Sequence, residues 1–180
     1  MMKTAMLSPP ALYEVAMKKQ KGFSLIEILV TMLLVSIGLL GMAALQGRTI
    51  GYTQDSIQRN TAAVLASDLL ELIRANPSAL ASFYKASNSA FPSLPGIGCT
   101  STPTSASDQL ACWSDRAAKL LPGASALLAS NFYICRSATP GTCSNSGSAV
   151  EIQIAWSVKA GECLDQSDST TCTYRLRADI

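Results

Sequence analysis

Glu27 is the residue whose setting most demands a chemical explanation. It is the single charge in FSLIEILVTMLLVSIGLLGMAAL, the 23 residues from Phe23 to Leu45. An ionised carboxylate in such surroundings costs several kcal/mol unless a cation neutralises it, and an acid inside a membrane span is functional by default. Glu27 therefore needs a positive partner. The second reactive set is six cysteines, at 99, 112, 135, 143, 163 and 172, all beyond the apolar run. Their even number and the lack of any C-x-x-C favour disulfides over zinc or dithiol redox chemistry. Fifteen pairings are formally possible for six cysteines. The sequence-local set, Cys99 with Cys112, Cys135 with Cys143 and Cys163 with Cys172, is favoured because short loops bearing Gly, Ser, Asp or Thr let each pair close.

Other chemistry is poorly supplied. The chain has no histidine, which removes Ser-His-Asp and Cys-His nucleophiles and His-containing zinc sites. The serines and threonines have no base partner. Asp108, Glu162, Asp165 and Asp168 lack the spacing of a metal loop. Trp113 and Trp156 sit on the apolar faces of their elements and are read as core rather than as ligand-stacking residues. Neither a catalytic constellation, a metal site nor a cofactor is expected.

The elements that would carry these residues follow from composition and periodicity. With 180 residues, 48% hydrophobic, 14% charged and a mean hydropathy of +0.25, the chain has room for one modest domain and one segment that meets lipid. As a helix, Phe23 to Leu45 covers roughly 34 Å against a hydrocarbon core of about 30 Å, enough to span a bilayer. Of the 14 Lys and Arg, Lys3, Lys18, Lys19 and Lys21 precede it, with Glu14 the single acid there. These lysines hold that end in the cytoplasm and place the remainder outside the inner membrane. Beyond residue 22 the balance is 10 basic against 11 acidic residues, too near neutral for sequence-independent attraction to nucleic acid. An ordinary signal peptide fits poorly, because its cleavage site would follow an apolar region of about 7 to 15 residues.

The helix continues as an amphipathic one, with Ile50, Ile57, Val64, Leu65, Leu69, Leu72 and Ile73 apolar and Arg48, Asp55, Arg59, Asp68, Glu71 and Arg74 between them. It is expected from about Ser24 to Ala75, ending before Asn76-Pro77. Gly38, Gly41, Gly47 and Gly51 weaken it, each by up to about 1 kcal/mol relative to Ala. From the residues alone they suit close helix packing of small side chains in the membrane. Residues 77 to 107 read as an irregular linker. Ser107-Asp108 is expected to cap a short helix, Gln109 to Leu121, with Leu110, Trp113, Ala117 and Leu121 on one side, ending at Pro122-Gly123. Strands are expected at Asn131 to Ser137, Ala149 to Val158 and Cys172 to Ala178. In the second, Val150, Ile152, Ile154, Trp156 and Val158 alternate with Glu151, Gln153 and Ser157, the period of a half-buried antiparallel strand.

The boundary Lys18-Lys19-Gln20-Lys21-Gly22-Phe23-Ser24-Leu25-Ile26-Glu27 resembles the type III signal of type IV prepilins and pseudopilins. That signal is a basic leader ending in Gly, an aromatic first mature residue and a Glu at the fifth mature position. The resemblance implies cleavage between Gly22 and Phe23 by a prepilin peptidase, Gly22 being needed because a larger side chain obstructs that enzyme, and N-methylation of Phe23. It also implies that Glu27 of an incoming subunit pairs with the Phe23 amine of a neighbour, and it offers local melting of the helix in the filament as the alternative use of Gly38, Gly41, Gly47 and Gly51. SIGLLGMAALQ, Cys112-Trp113 and Leu120-Leu121-Pro122-Gly123 further resemble the PilV group of minor pilins. The implied fold is α+β and type IV pilin-like, a long N-terminal helix packed against a small antiparallel, disulfide-bonded head. Its parts are a cleaved cytoplasmic leader at 1–22, a transmembrane and assembly helix at 23–45, its amphipathic continuation at 46–76 and a periplasmic head at 77–180. The implied role is structural and not enzymatic: a minor pilin that joins or primes a type IV pilus. The alternatives are a type II secretion pseudopilin and a pilus-tip adhesin. Partners would be other minor and major pilins, the prepilin peptidase, the inner-membrane assembly platform and, before assembly, membrane lipid; nucleic acid is not expected.

Overall fold

The computed structural model describes residues 22–180 except 97, 100–102 and 165–169, and only the backbone at 48. Most of the basic leader, Lys3 to Lys21, thus lies outside the described residues, as do Asp165 and Asp168. The chain divides into two compact units, one ending at Ala43 and the other running from Ala44 to Ile180. Helix α1 runs from Leu25 to Ala75. A 3-10 helix, Pro77–Phe83, follows, then α2 (Ala106–Leu120), a one-turn helix α3 (Ala124–Leu127) and strands β1 (Tyr133–Ser137), β2 (Ala149–Ser157) and β3 (Thr171–Asp179). The strands form one antiparallel sheet in the order β1-β2-β3. This is a type IV pilin-like α+β fold.

Within the first unit every described side chain is exposed. Two hydroxyls of its apolar run, Thr31 and Ser36, donate to Ile28 and Met32 carbonyls of their own helix, so neither needs a solvent partner.

The second unit has a continuous core. Ala62, Leu65, Ala66, Leu69 and Ile73 of α1, Leu110, Trp113 and Ala117 of α2, Phe132, and Ile134, Val150, Ile152, Ile154 and Trp156 of the sheet are all buried. Trp113 donates its indole N–H to the Leu65 carbonyl at 2.9 Å, so the large apolar ring is buried with its polar tip satisfied. Phe91 and Phe132 pack against it, with ring centroids 6.0 and 6.4 Å away. Three disulfides join Cys99 to Cys112, Cys135 to Cys143 and Cys163 to Cys172.

Four details differ from the sequence reading, each for a tertiary reason. The 77–107 segment is not wholly irregular: it opens with the 3-10 helix, and Lys85 then pairs with Ile134 as an antiparallel bridge on the β1 edge. The cap of α2 is Ser105, not Ser107-Asp108. Ser105 has extended backbone and accepts from the Asp108 N–H, which puts Ser107 and Asp108 inside the first turn. On α1 the stripe that packs on the head includes Asp55, 1% exposed, whereas Ile50, Ile57 and Val64 face out at 56 to 67% exposure. Strand β2 is buried on both faces except at Ser157, because the loop closed by Cys135–Cys143 and the Arg175 side chain cover Glu151 and Gln153.

Gly123 shows how local chemistry fixes the turn after α2. Its φ of +65° is left-handed, and a Cβ there would lie 2.3 Å from the Ser157 hydroxyl, so only glycine fits. The Pro122 carbonyl beside it accepts from Ser157 N–H at 2.8 Å, tying the turn to the end of β2.

Lys85 is buried, and its ammonium donates to the carbonyls of Phe132, Ala129 and Ala86 at 2.7, 3.0 and 3.1 Å. Burial lowers its pKa from 10.5 to about 8. The unfolded chain holds this proton to about pH 10.5 and the folded chain only to about 8, so this group makes stability rise with pH across that window. Tyr133 acts in the opposite sense above pH 10. Burial, with its hydrogen bond to Glu151, raises its pKa to about 12, and the folded state then binds the extra proton. In thermal scans the difference between wild type and Lys85→Met is expected to grow in favour of wild type from pH 8 to 10, by at most about 1.4 kcal/mol per pH unit. A difference independent of pH would contradict it.

Candidate processing and assembly site

Gly22, Phe23 and Ser24 precede α1 in non-helical backbone. Ser24 is the acceptor that starts the helix, its carbonyl taking the N–H groups of Glu27 and Ile28 at 3.0 and 3.3 Å. Glu27 lies in the first turn, where unpaired N–H groups and the helix dipole favour a negative side chain. This is a local reason for an acid at this end of the helix, separate from membrane depth. Among the described residues no cation pairs with the Glu27 carboxylate.

Gly22 has no internal reason to be glycine: a Cβ added there would meet nothing within 4 Å. Any requirement for a small residue comes from outside the described chain. Phe23 is 79% exposed, and Leu25, Ile26, Leu29, Met32, Leu33 and Leu40 are all more than half exposed. So large an apolar surface marks a site of lipid or protein contact. An 18-residue window of α1 has a mean hydropathy of 2.5, and the helix is long and apolar enough to cross a membrane.

The helix glycines separate by location. Gly38, Gly41 and Gly47 have open space at the Cβ position, whereas a Cβ on Gly51 would come 3.2 Å from Cγ of Glu162. Gly51 therefore admits the Glu162 loop to the helix surface. The helix is unbroken through all four.

Beyond the first unit, Asp55 ties α1 to the head. It accepts from the Trp156 indole N–H at 3.3 Å and from Leu164 N–H at 3.1 Å, and faces Arg59 at 3.6 Å. The Arg59 guanidinium lies 5.7 Å from the centroid of the Trp156 ring. Asp55, Cys163 and Cys172 bring one oxygen and two sulfurs within 4.8 Å of one another. The two sulfurs are bonded to each other, so they are not the thiolates a zinc site requires.

A long helix just after Gly22-Phe23, with an acid in its first turn and a disulfide-bonded sheet after it, is a pilin-like arrangement. Residues 17–43 match the family model described as the prokaryotic N-terminal methylation motif, and residues 44–118 match that described as type IV pilin Tt1218. The two matches adjoin and together support a type IV pilin, in a pilus or a pseudopilus. The motif and the apolar helix fit a membrane-anchored pilin. No curated protein and no solved structure matches the chain. A pilin is a structural protein, which assembles with other pilins and their machinery.

Proposed function

We propose that the chain is a minor pilin of a type IV pilus, cut between Gly22 and Phe23, N-methylated on Phe23 and held in the inner membrane with residues 77–180 in the periplasm until it joins or primes a filament. The observation that carries this reading is the exposed apolar stretch of α1, Leu25 to Leu45, that begins just after Gly22-Phe23 and has Glu27 as its sole charge. In lipid that carboxylate is costly, and a terminal ammonium on a neighbouring subunit neutralises it. A second support is the outward apolar row Ile50, Ile57 and Val64 on α1. Its seven-residue spacing keeps one face available to neighbouring helices beyond the span. The PilV-like features at 112–113 and 120–123 favour a minor pilin, with other minor and major pilins, the prepilin peptidase and the assembly platform as partners.

The test is mass spectrometry of the protein recovered from sheared pili and from membranes. The expected species begins at a methylated Phe23. Gly22→Leu is expected to leave more than about 90% of the chain as precursor, since a side chain at the scissile position misplaces the reacting bond. Normal processing of that variant, or an intact native N-terminus, would refute the reading. Recovery in a secretion pseudopilus, with none in pili, would assign the chain to type II secretion instead.

A further inference from the structure

The outer face of the sheet, turned away from α1, holds a cleft of about 550 Å³ walled by Tyr84, Tyr133, Gly141, Asn145, Gln153 and Arg175. The register puts Tyr133 opposite Gln153 and Gln153 opposite Arg175, so the three stand in one row across the sheet. Arg175 Nε donates to Gln153 Oε1 at 2.6 Å, and Gln153 Nε2 donates to the Asn131 carbonyl at 2.8 Å.

Beneath the cleft lies a buried carboxylate. Glu151 is 1% exposed on the central strand, a position where a charge is costly unless hydrogen bonds satisfy it. Its partners are the Tyr133 hydroxyl, at 2.7 Å, and the Gly141 N–H, at 3.0 and 2.9 Å to its two oxygens. Both partners belong to the cleft wall. The buried acid thus fixes the cleft, aided by the Cys135–Cys143 bridge and by Asn145 N–H donating to the Arg136 carbonyl at 3.1 Å. Holding a polar surface loop so firmly is preorganisation, which lowers the entropy cost of binding.

Two features indicate what binds. The Tyr84 hydroxyl is buried and has no hydrogen-bond partner among the described residues, a costly state unless a ligand supplies one. Arg175 is the single charged residue lining the wall, and the Glu151 carboxylate beneath it is already held by Tyr133 and Gly141. One cation among neutral hydroxyl and amide groups and two aromatic rings matches a ligand with one carboxylate, several hydroxyls and an apolar ring face. A peptide strand would call for a free sheet edge rather than a face.

We propose that this cleft binds a carboxylate-bearing sugar, Arg175 taking the carboxylate while Tyr84 and Asn145 bond to ring hydroxyls. This goes beyond the pilin reading and is independent of which filament the chain joins. The test is calorimetric titration of the processed full chain in detergent with glucuronate, glucose, acetate and inorganic phosphate. Glucuronate is expected to bind at least about ten-fold more tightly than the other three. Arg175→Gln is expected to lose that ten-fold while leaving processing and filament entry intact, which separates this site from assembly. Tyr84→Phe is expected to weaken glucuronate about three- to ten-fold yet raise the melting midpoint of the free protein by a few degrees, because it deletes a buried unpartnered hydroxyl. No glucuronate binding, equal binding of glucose or phosphate, or unchanged binding by Arg175→Gln would each overturn the proposal.

Discussion

Chains carrying Glu27→Val are expected to be cut after Gly22 and inserted normally but to enter pili at least about ten-fold less efficiently. The proposed pairing gives the reason. After the proposed cleavage Glu27 and the Phe23 amine would both lie at the end of an exposed apolar run, and each charge is costly as the helix leaves the membrane edge for a packed fibre. Pairing between neighbouring subunits removes both costs together. Valine removes one and leaves the amine of the neighbour unmatched, a penalty of several kcal/mol, where 1.4 kcal/mol is already ten-fold. The measurement is the ratio of this chain in sheared pili to that in membranes. Glu27→Asp, which keeps the charge on a shorter arm, is expected to fall between. Equal incorporation of Glu27→Val would show that the carboxylate is not neutralised in this way.

Asp55→Ala is expected to destabilise the second unit strongly, costing about 3 to 4 kcal/mol and lowering the melting midpoint by roughly 10 °C. Its carboxylate is wholly buried and satisfies the Trp156 indole and the Leu164 backbone. Alanine leaves both donors unpaired in the interior, at about 1 to 3 kcal/mol each. The ion pair with Arg59 contributes less, since its guanidinium nitrogen stands 3.6 Å from the carboxylate, too far for a hydrogen bond. Asp55→Asn keeps an acceptor and is expected to cost about half as much. Thermal or denaturant melts of the full chain in detergent decide between these values, and a loss under about 1 kcal/mol for alanine would show that this acid is not structural.

Much of the architecture was legible before any coordinates. A charge-poor run of bilayer length, an amphipathic continuation ended by Asn76-Pro77 and a period-two strand at 149–158 each depend on local spacing, and each element stands within a residue or two of its expected place. The cysteine pairs are neighbours in sequence, so loop closure favours them with little help from the fold. The two tryptophans lie on apolar faces whichever elements cover them, and both are buried.

What periodicity could not assign is which of two competing surfaces each side chain meets. Asp55 shares a helix with Asp68 and Arg74, yet it alone faces an indole N–H and a loop amide; Ile50, Ile57 and Val64 look like core residues but have no head above them. Glu151 and Gln153 alternate as solvent-facing residues should, until a disulfide-closed loop folds over them. Lys85 sits in a segment read as linker, and only the bridge to Ile134 brings three carbonyls to its ammonium. Sequence by itself determined the elements, the lone acid at the start of the apolar helix and the chemistry that acid requires, because these rest on spacing along the chain. Tertiary structure alone decided which polar groups are buried and where a polar cleft forms, because burial depends on contacts between segments that spacing does not encode.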